Sequence, residues 1–188
     1  MGKNTKEMKK MENKPNYAEL ALAAGFSAAL EGPAGAVTCE ERVRAFCTPE
    51  KCPNYGESWI CPPGCGSMED CRAVIAARSR VLLLQSLHAD TAGWTGEDYA
   101  RAALEHNRRS QRFAEKVRET EPGAYMLTTG GCELCEKCTF PEAPCRRPDK
   151  QRGSLSAFGV DVAALCDRLG MPYAFEPGKL RLMSCVVY

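Results

Sequence analysis

Ala124-Tyr125-Met126-Leu127-Thr128-Thr129-Gly130-Gly131-Cys132-Glu133-Leu134-Cys135-Glu136-Lys137-Cys138, closing at Pro144-Cys145-Arg146, is the stretch on which the fold turns. Ala124 to Thr129 reads as a strand that runs straight into a glycine pair and then into thiols. The two glycines allow backbone geometry that other residues resist and let amides approach sulfur closely. Three cysteines then follow at two-residue gaps, and six residues separate the third from a fourth. A thiolate-rich loop of this kind binds metal far more readily than it packs a core. One tight loop can offer thiolates to several irons of a cubane, with the fourth ligand arriving from farther along. A single zinc ion is more often gripped by two CxxC pairs across a longer spacer, so zinc is the alternative here.

A strand that empties into such a loop places the chemistry at a sheet end. Working outward, Ser79 to Leu87 carries the continuously apolar Val81-Leu82-Leu83-Leu84 and predicts a buried strand. Thr95-Gly96-Glu97-Asp98 has the hydroxyl and acidic pattern of a capping box, opening a helix from Glu97 to Glu119. Tyr99, Ala103, Leu104, Phe113, Ala114 and Val117 are expected on its core face. Arg101, Arg108, Arg109 and Arg112 are expected on its solvated face, interleaved with Glu105 and Glu115. Tyr17 to Ala24 predicts a short helix and Phe26 to Leu30 a first strand ending in a turn at Glu31-Gly32-Pro33. Ser154 to Leu169 predicts a second main helix. Tyr173 to Phe175 and Leu180 to Val187 predict a hairpin-like pair around Glu176-Pro177-Gly178-Lys179. The fold class is therefore α/β or α+β: a mixed β-sheet flanked by helices, with two cysteine-rich metal-binding loops.

The other loop is less regular. Cys47, Cys52, Cys61, Cys65 and Cys71 are punctuated by Pro49, Pro53, Pro62, Pro63, Gly56, Gly64 and Gly66, which predicts an irregular segment of about 25 residues. A loop that long needs something to hold it, and a metal centre would. Cys47, Cys52, Cys61 and Cys71 are the expected ligands, with Cys65 the spare; the choice between Cys65 and Cys71 is close to even. Cys132, Cys135, Cys138 and Cys145 are the expected ligands of the second loop. Arg146, Arg147 and Arg152 could offset an anionic cluster or be plain surface charge. Cys166 and Cys185 read as buried thiols, and Cys39 is unassigned.

The whole chain, 188 residues with twelve cysteines, is long enough to bury a core, so its thiols are not needed as disulfide staples. Residues 1–16 read as a lysine-rich flexible tail without a secretory leader, and residues 17–188 as a single domain. The net charge of +1 gives no push toward nucleic acid or anionic membrane, and no apolar run approaches the length of a bilayer span. A cytoplasmic location, where thiols stay reduced, is the expectation. There is no GxGxxG, phosphate loop, nucleophile elbow or HExxH. His88, His106, Glu69, Asp70 and Asp161 stand without a visible catalytic partner, so no reaction is assigned.

Both cysteine blocks resemble a known family. Val43-Arg44, Cys47, Lys51-Cys52-Pro53-Asn54-Tyr55-Gly56-Glu57-Ser58-Trp59-Ile60-Cys61-Pro62-Pro63-Gly64-Cys65-Gly66, Glu69 and Cys71 are similar to its first block. Gly131 to Cys138, Pro144-Cys145-Arg146 and Gly159-Val160-Asp161-Val162 are similar to its second. The family is the one catalogued as domain of unknown function 2284, described as predicted metal-binding. The chain departs from it at Arg152 to Ala157, where members usually carry proline, methionine and glutamate at positions 153, 155 and 156. Ser184-Cys185 also looks like a family feature. The resemblance implies metal binding and no particular reaction. The resulting expectation is an iron–sulfur protein with one or two [4Fe–4S] clusters, passing electrons to or from a partner protein. The alternatives are a zinc-stabilised interaction module, and a redox enzyme with an open iron acting on a small substrate or corrinoid-type partner.

Overall fold

The computed structural model describes residues 15–150 and 152–188, so residues 1–14 of the expected tail lie outside the described residues. Its centre is the apolar run foreseen from sequence. Strand β2 spans Arg80–His88, and Val81, Leu82, Leu83 and Leu84 are all fully buried. Each such leucine contributes roughly 2 kcal/mol by leaving water. The run is apolar throughout because both faces of the strand are covered. Val81 and Leu83 face one core with Leu127, Cys185, Leu165 and Cys166; Leu82 and Leu84 face a second with Met126, Val186, Phe113 and Val117.

Around β2 stand β1 (Ala28–Pro33), β3 (Tyr125–Thr128), β4 (Gly153–Ser154) and β5 (Leu180–Val187), in the order β1-β2-β5-β3-β4. The sheet is mixed: β3 and β4 are parallel and the other pairs antiparallel. Helices α1 (Tyr17–Ala23) and α4 (Gly96–Arg118) cover one face. Helices α3 (Met68–Ala76) and α5 (Val162–Leu169) cover the other, and the short α2 (Glu41–Arg44) leads into the first cysteine loop. Among the described residues no helix is long and apolar enough to cross a membrane.

Several expectations are corrected. The turn expected at Glu31-Gly32-Pro33 is strand, in register with Leu82, Val81 and Arg80. Proline is tolerated there because β1 is the sheet edge and has only one neighbour. The irregular loop ends at Ser67, where α3 begins. Asp70 N–H donates to Ser67 Oγ at 3.1 Å and Ser67 N–H donates to Asp70 Oδ2 at 2.7 Å, the same capping box as Thr95 and Asp98. Asp70 is thus a structural cap, held below the usual carboxylate range by its Ser67 hydrogen bonds.

Of the helix expected over 154–169 only Val162–Leu169 forms. Gly153–Ser154 pair with β3 instead, and Leu155 N–H donates to Thr128 O at 2.9 Å. Asp161 starts the helix by accepting from Ala164 N–H at 3.0 Å. The hairpin at the C-terminus is also absent. Tyr173 to Phe175 form no strand; β5 pairs instead with β2 along its length and with β3 at Cys185–Val187.

The core face of α4 is rotated from the one expected. Tyr99 is 41% exposed, whereas Ala102, His106, Asn107, Ser110, Phe113, Ala114 and Val117 are buried. Polar residues take the buried stripe because the sheet offers them partners: Ser86 Oγ lies 2.8 Å from His106 Nδ1, and Ser184 Oγ lies 2.8 Å from Ser110 Oγ. Asn107 Oδ1 accepts from the Thr128 hydroxyl.

Burial, aided by the nearby Arg109 guanidinium, pushes His106 down from its ordinary 6.5 to about 4. Between those two values the unfolded chain takes up a proton that the folded chain refuses, so stability falls as pH drops through that window. Urea unfolding is expected to lose about 3 kcal/mol between pH 6.5 and 4 on this account, at about 1.4 kcal/mol per pH unit. His106→Gln should flatten that slope; an unchanged slope in the variant would assign the loss elsewhere.

Candidate metal centres

The second cysteine loop hangs from the end of β3. Asn107 Nδ2, reaching down from α4, donates to Thr129 O at 2.9 Å and to Glu133 Oε1 at 3.2 Å, so the first turn of the loop is pinned to the helix. From there Cys132, Cys135, Cys138 and Cys145 line one small cavity of about 20 Å³. Leu134 and Thr139 complete its wall from within the loop, and Arg146 lies at its rim. Arg146 Nη1 donates to Lys137 O at 2.9 Å, and Arg147 N–H donates to Cys145 Sγ at 3.4 Å, which clamps the far arm of the loop and aims an amide at sulfur. Burial raises the Cys132 thiol, opposed by the Leu134 amide and the Arg152 guanidinium. Arg152 is the charge that matters: its side chain is only 2% exposed and its Nη2 lies 3.5 Å from Glu133.

The first loop gathers Cys47, Cys52 and Cys61 on a cavity of about 70 Å³, together with Asn54, Tyr55, Pro62 and Gly130. Ser154 of β4, with Ser156 and Ala157 just after it, closes it from the sheet side. Cys61 is buried, and that burial raises its thiol to about 11 while the Ser58 hydroxyl opposes the rise. Cys65 interacts electrostatically with both Cys47 and Cys61. Cys71 stands one step farther back, on the first turn of α3, where its neighbours are Cys65 and Cys39. Hydrogen bonding with Cys65 lowers the Cys71 thiol against the effect of its burial, and Arg44, with Nη1 3.6 Å from Cys71 Sγ, adds to the lowering. The same Arg44 donates through Nη2 to Gly66 O at 2.6 Å and so fixes the exit of the loop.

Cys39 pairs with Val160 in an isolated bridge, and burial raises its thiol. Cys166 and Cys185 are fully buried in the core, raised by desolvation to about 11 and about 12. Neither lines the cavity of either cysteine loop. All twelve cysteines are free.

The two loops build each other's sites. Trp59 and Ile60, between Cys52 and Cys61 in the chain, line the cavity of the second loop, while Gly130 of the second loop lines the cavity of the first. Trp59 Nε1 donates to Ala143 O at 3.2 Å, and its ring meets Phe140 edge-on with centroids 4.9 Å apart. The approach is close enough to demand glycine at position 64, where a Cβ would fall 2.7 Å from Ser58 O and 3.0 Å from the Phe140 ring. Nothing in the local pattern of the first loop marks Trp59 as a wall of the other; only a signal of long-range contact would have found it.

Among the described residues no three His, Cys, Asp or Glu side chains converge tightly enough to hold a metal ion between them. The chemistry of the donor set is nonetheless that of a soft-metal site: four thiols on one loop, walled by apolar side chains, with an amide directed at the Cys145 sulfur and the Arg152 charge acting on Cys132. A family model described as a predicted metal-binding protein, domain of unknown function 2284, matches residues 33–188. Searches of curated proteins and of solved structures find no match.

Proposed function

The chain belongs to this family of predicted metal-binding proteins, and from that premise we propose that it carries two [4Fe–4S] clusters and passes electrons to or from a partner protein. The observation that carries the reading is the single cavity shared by Cys132, Cys135, Cys138 and Cys145 and roofed by Trp59 and Ile60 of the neighbouring loop. A thiolate-bound iron–sulfur cluster supplies one-electron transfer at a potential set by its surroundings. The chain's own residues would set those surroundings. The four thiolates hold the second centre, the Trp59 ring and Ile60 exclude water, and buried Arg152 offsets the negative charge that four thiolates bring. Cys47, Cys52 and Cys61 would hold the first centre. For the fourth place we choose Cys65, half-buried on the loop itself, over Cys71, which is buried against the core on α3.

Four residues with polar groups on the first cavity favour one second reading. Asn54, Tyr55, Ser154 and Ser156 stand beside three thiols, an arrangement able to receive a small substrate at a centre with one open position. Anaerobic purification with iron, sulfide and zinc analysis tests the first reading: about eight irons and eight sulfides per chain are expected. A colourless protein with stoichiometric zinc and no iron would overturn it. The same analysis on Cys65→Ser separates carrier from enzyme, since a carrier loses the first centre's iron and an open-position enzyme retains it.

A further inference from the structure

We propose that the cleft beside the second cysteine loop is a binding site for a small organic polyanion, its charge carried by phosphate or carboxylate oxygens. The cleft measures about 320 Å³ and lies between α4 and the segment that follows Cys145. That volume is at the lower end of small-molecule sites.

Five cations face it, Arg108 and Arg112 from α4 and Arg147, Lys150 and Arg152 from the returning chain, against two carboxylates, Glu115 and Glu133. Both carboxylates are already engaged. Glu115 takes Lys150 at 3.0 Å, and Glu133 takes Arg152 at 3.5 Å. Among the described residues Arg108, Arg112 and Arg147 have no carboxylate partner. Arg108 and Arg112 are four residues apart on one helix, a like-charge spacing that disfavours the helix unless an anion answers it.

One buried polar group supplies an independent sign. Arg152 is buried almost completely, yet its Nε has no hydrogen-bond partner among the described residues. An unpartnered buried guanidinium nitrogen is costly, and an oxyanion in the cleft would satisfy it while bringing the charge its neighbours lack. Planar guanidinium forks match phosphate and carboxylate oxygens two at a time, which selects those oxyanions over simple halides.

The location gives the site a consequence. Leu134 lines both this cleft and the cavity of Cys132, Cys135, Cys138 and Cys145, so a bound anion stands one side chain away from the thiols. The cations of the cleft are set by α4 and by residues 147, 150 and 152, and the site stands whatever the thiols hold.

Calorimetric titration of the full chain, purified anaerobically, with pyrophosphate and separately with citrate at low salt tests the proposal. Saturable one-to-one binding is expected, weakened tenfold or more in the Arg108→Ala/Arg112→Ala double variant. Both positions are exposed, so the variant keeps its core. Arg101→Ala, on the same helix but outside the cleft, should bind as the unaltered chain does. Tighter binding of pyrophosphate identifies a phosphate ligand, and tighter binding of citrate a carboxylate ligand. No saturable heat with either anion, full affinity in the double variant, or an equal loss in Arg101→Ala overturns the site.

Discussion

On the proposed two-cluster reading, Cys135→Ser is expected to lower the iron bound by the purified protein from about eight to about four atoms per chain, and to leave the iron of the first loop in place. A serine hydroxyl keeps the size of the thiol and loses its softness and its readiness to ionise, so it is a poor substitute at iron. The effect is large because Cys135 is one of four thiols on a single cavity, with no other cysteine lining it that could take its place. Metal binding is also folding energy, since the second loop contains little regular structure of its own. The variant should therefore unfold at a lower temperature, with the β2 and β5 core intact by circular dichroism. Full iron content in Cys135→Ser would remove the second loop from the metal-binding account. Loss of all the iron would mean that the two loops hold one shared centre.

Gly159→Ala is expected to destabilise the fold by about 2–5 kcal/mol in urea unfolding, and to loosen the first cysteine loop with it. Two separate effects add. Gly159 has φ of +72°, where a side chain costs about 1–2 kcal/mol. A Cβ there would also fall 2.6 Å from Glu40 O and 3.0 Å from Glu40 N. Those atoms are backbone, and Glu40 N–H donates to Gly159 O at 2.7 Å, so neither chain can step aside without breaking that bond. Overpacking of this kind costs about 1–3 kcal/mol. The contact matters beyond its size because Glu40 immediately precedes α2, which carries the chain to Cys47. Iron bound by the first centre should fall in Gly159→Ala while that of the second stays. Unaltered stability would show that the 39–40 and 159–160 crossing is slack.

The legible parts of this chain are those decided by neighbours in sequence. Val81 to Leu84 announced a strand covered on both faces, because four consecutive apolar side chains satisfy both sides of a pleat. Thr95 and Asp98 announced the start of α4, because a cap needs only four residues. Ser67 and Asp70 carry the same signal for α3, hidden among the glycines, prolines and cysteines of the first loop. The reading of 154–169 as one helix failed at long range: Gly153–Ser154 are drawn into the sheet by β3, a pairing that local propensity cannot express. The stripe on α4 failed likewise, since His106, Asn107 and Ser110 are buried only because Ser86, Thr128 and Ser184 wait on the sheet.

By itself the sequence determined the donor chemistry of this protein. Covalent spacing holds Cys132, Cys135 and Cys138 on one tight loop wherever that loop lies, and twelve thiols in a chain able to bury a core point to metal. The tertiary structure decided how the two loops stand to one another. Strand β5, last in the chain, occupies the middle of the sheet between β2 and β3. Residues distant in sequence therefore become walls of one site: Trp59 over the second loop, Gly130 under the first, and Arg152 buried behind Cys132. Those placements arise from packing between segments, whose energies depend on distances that no local pattern encodes.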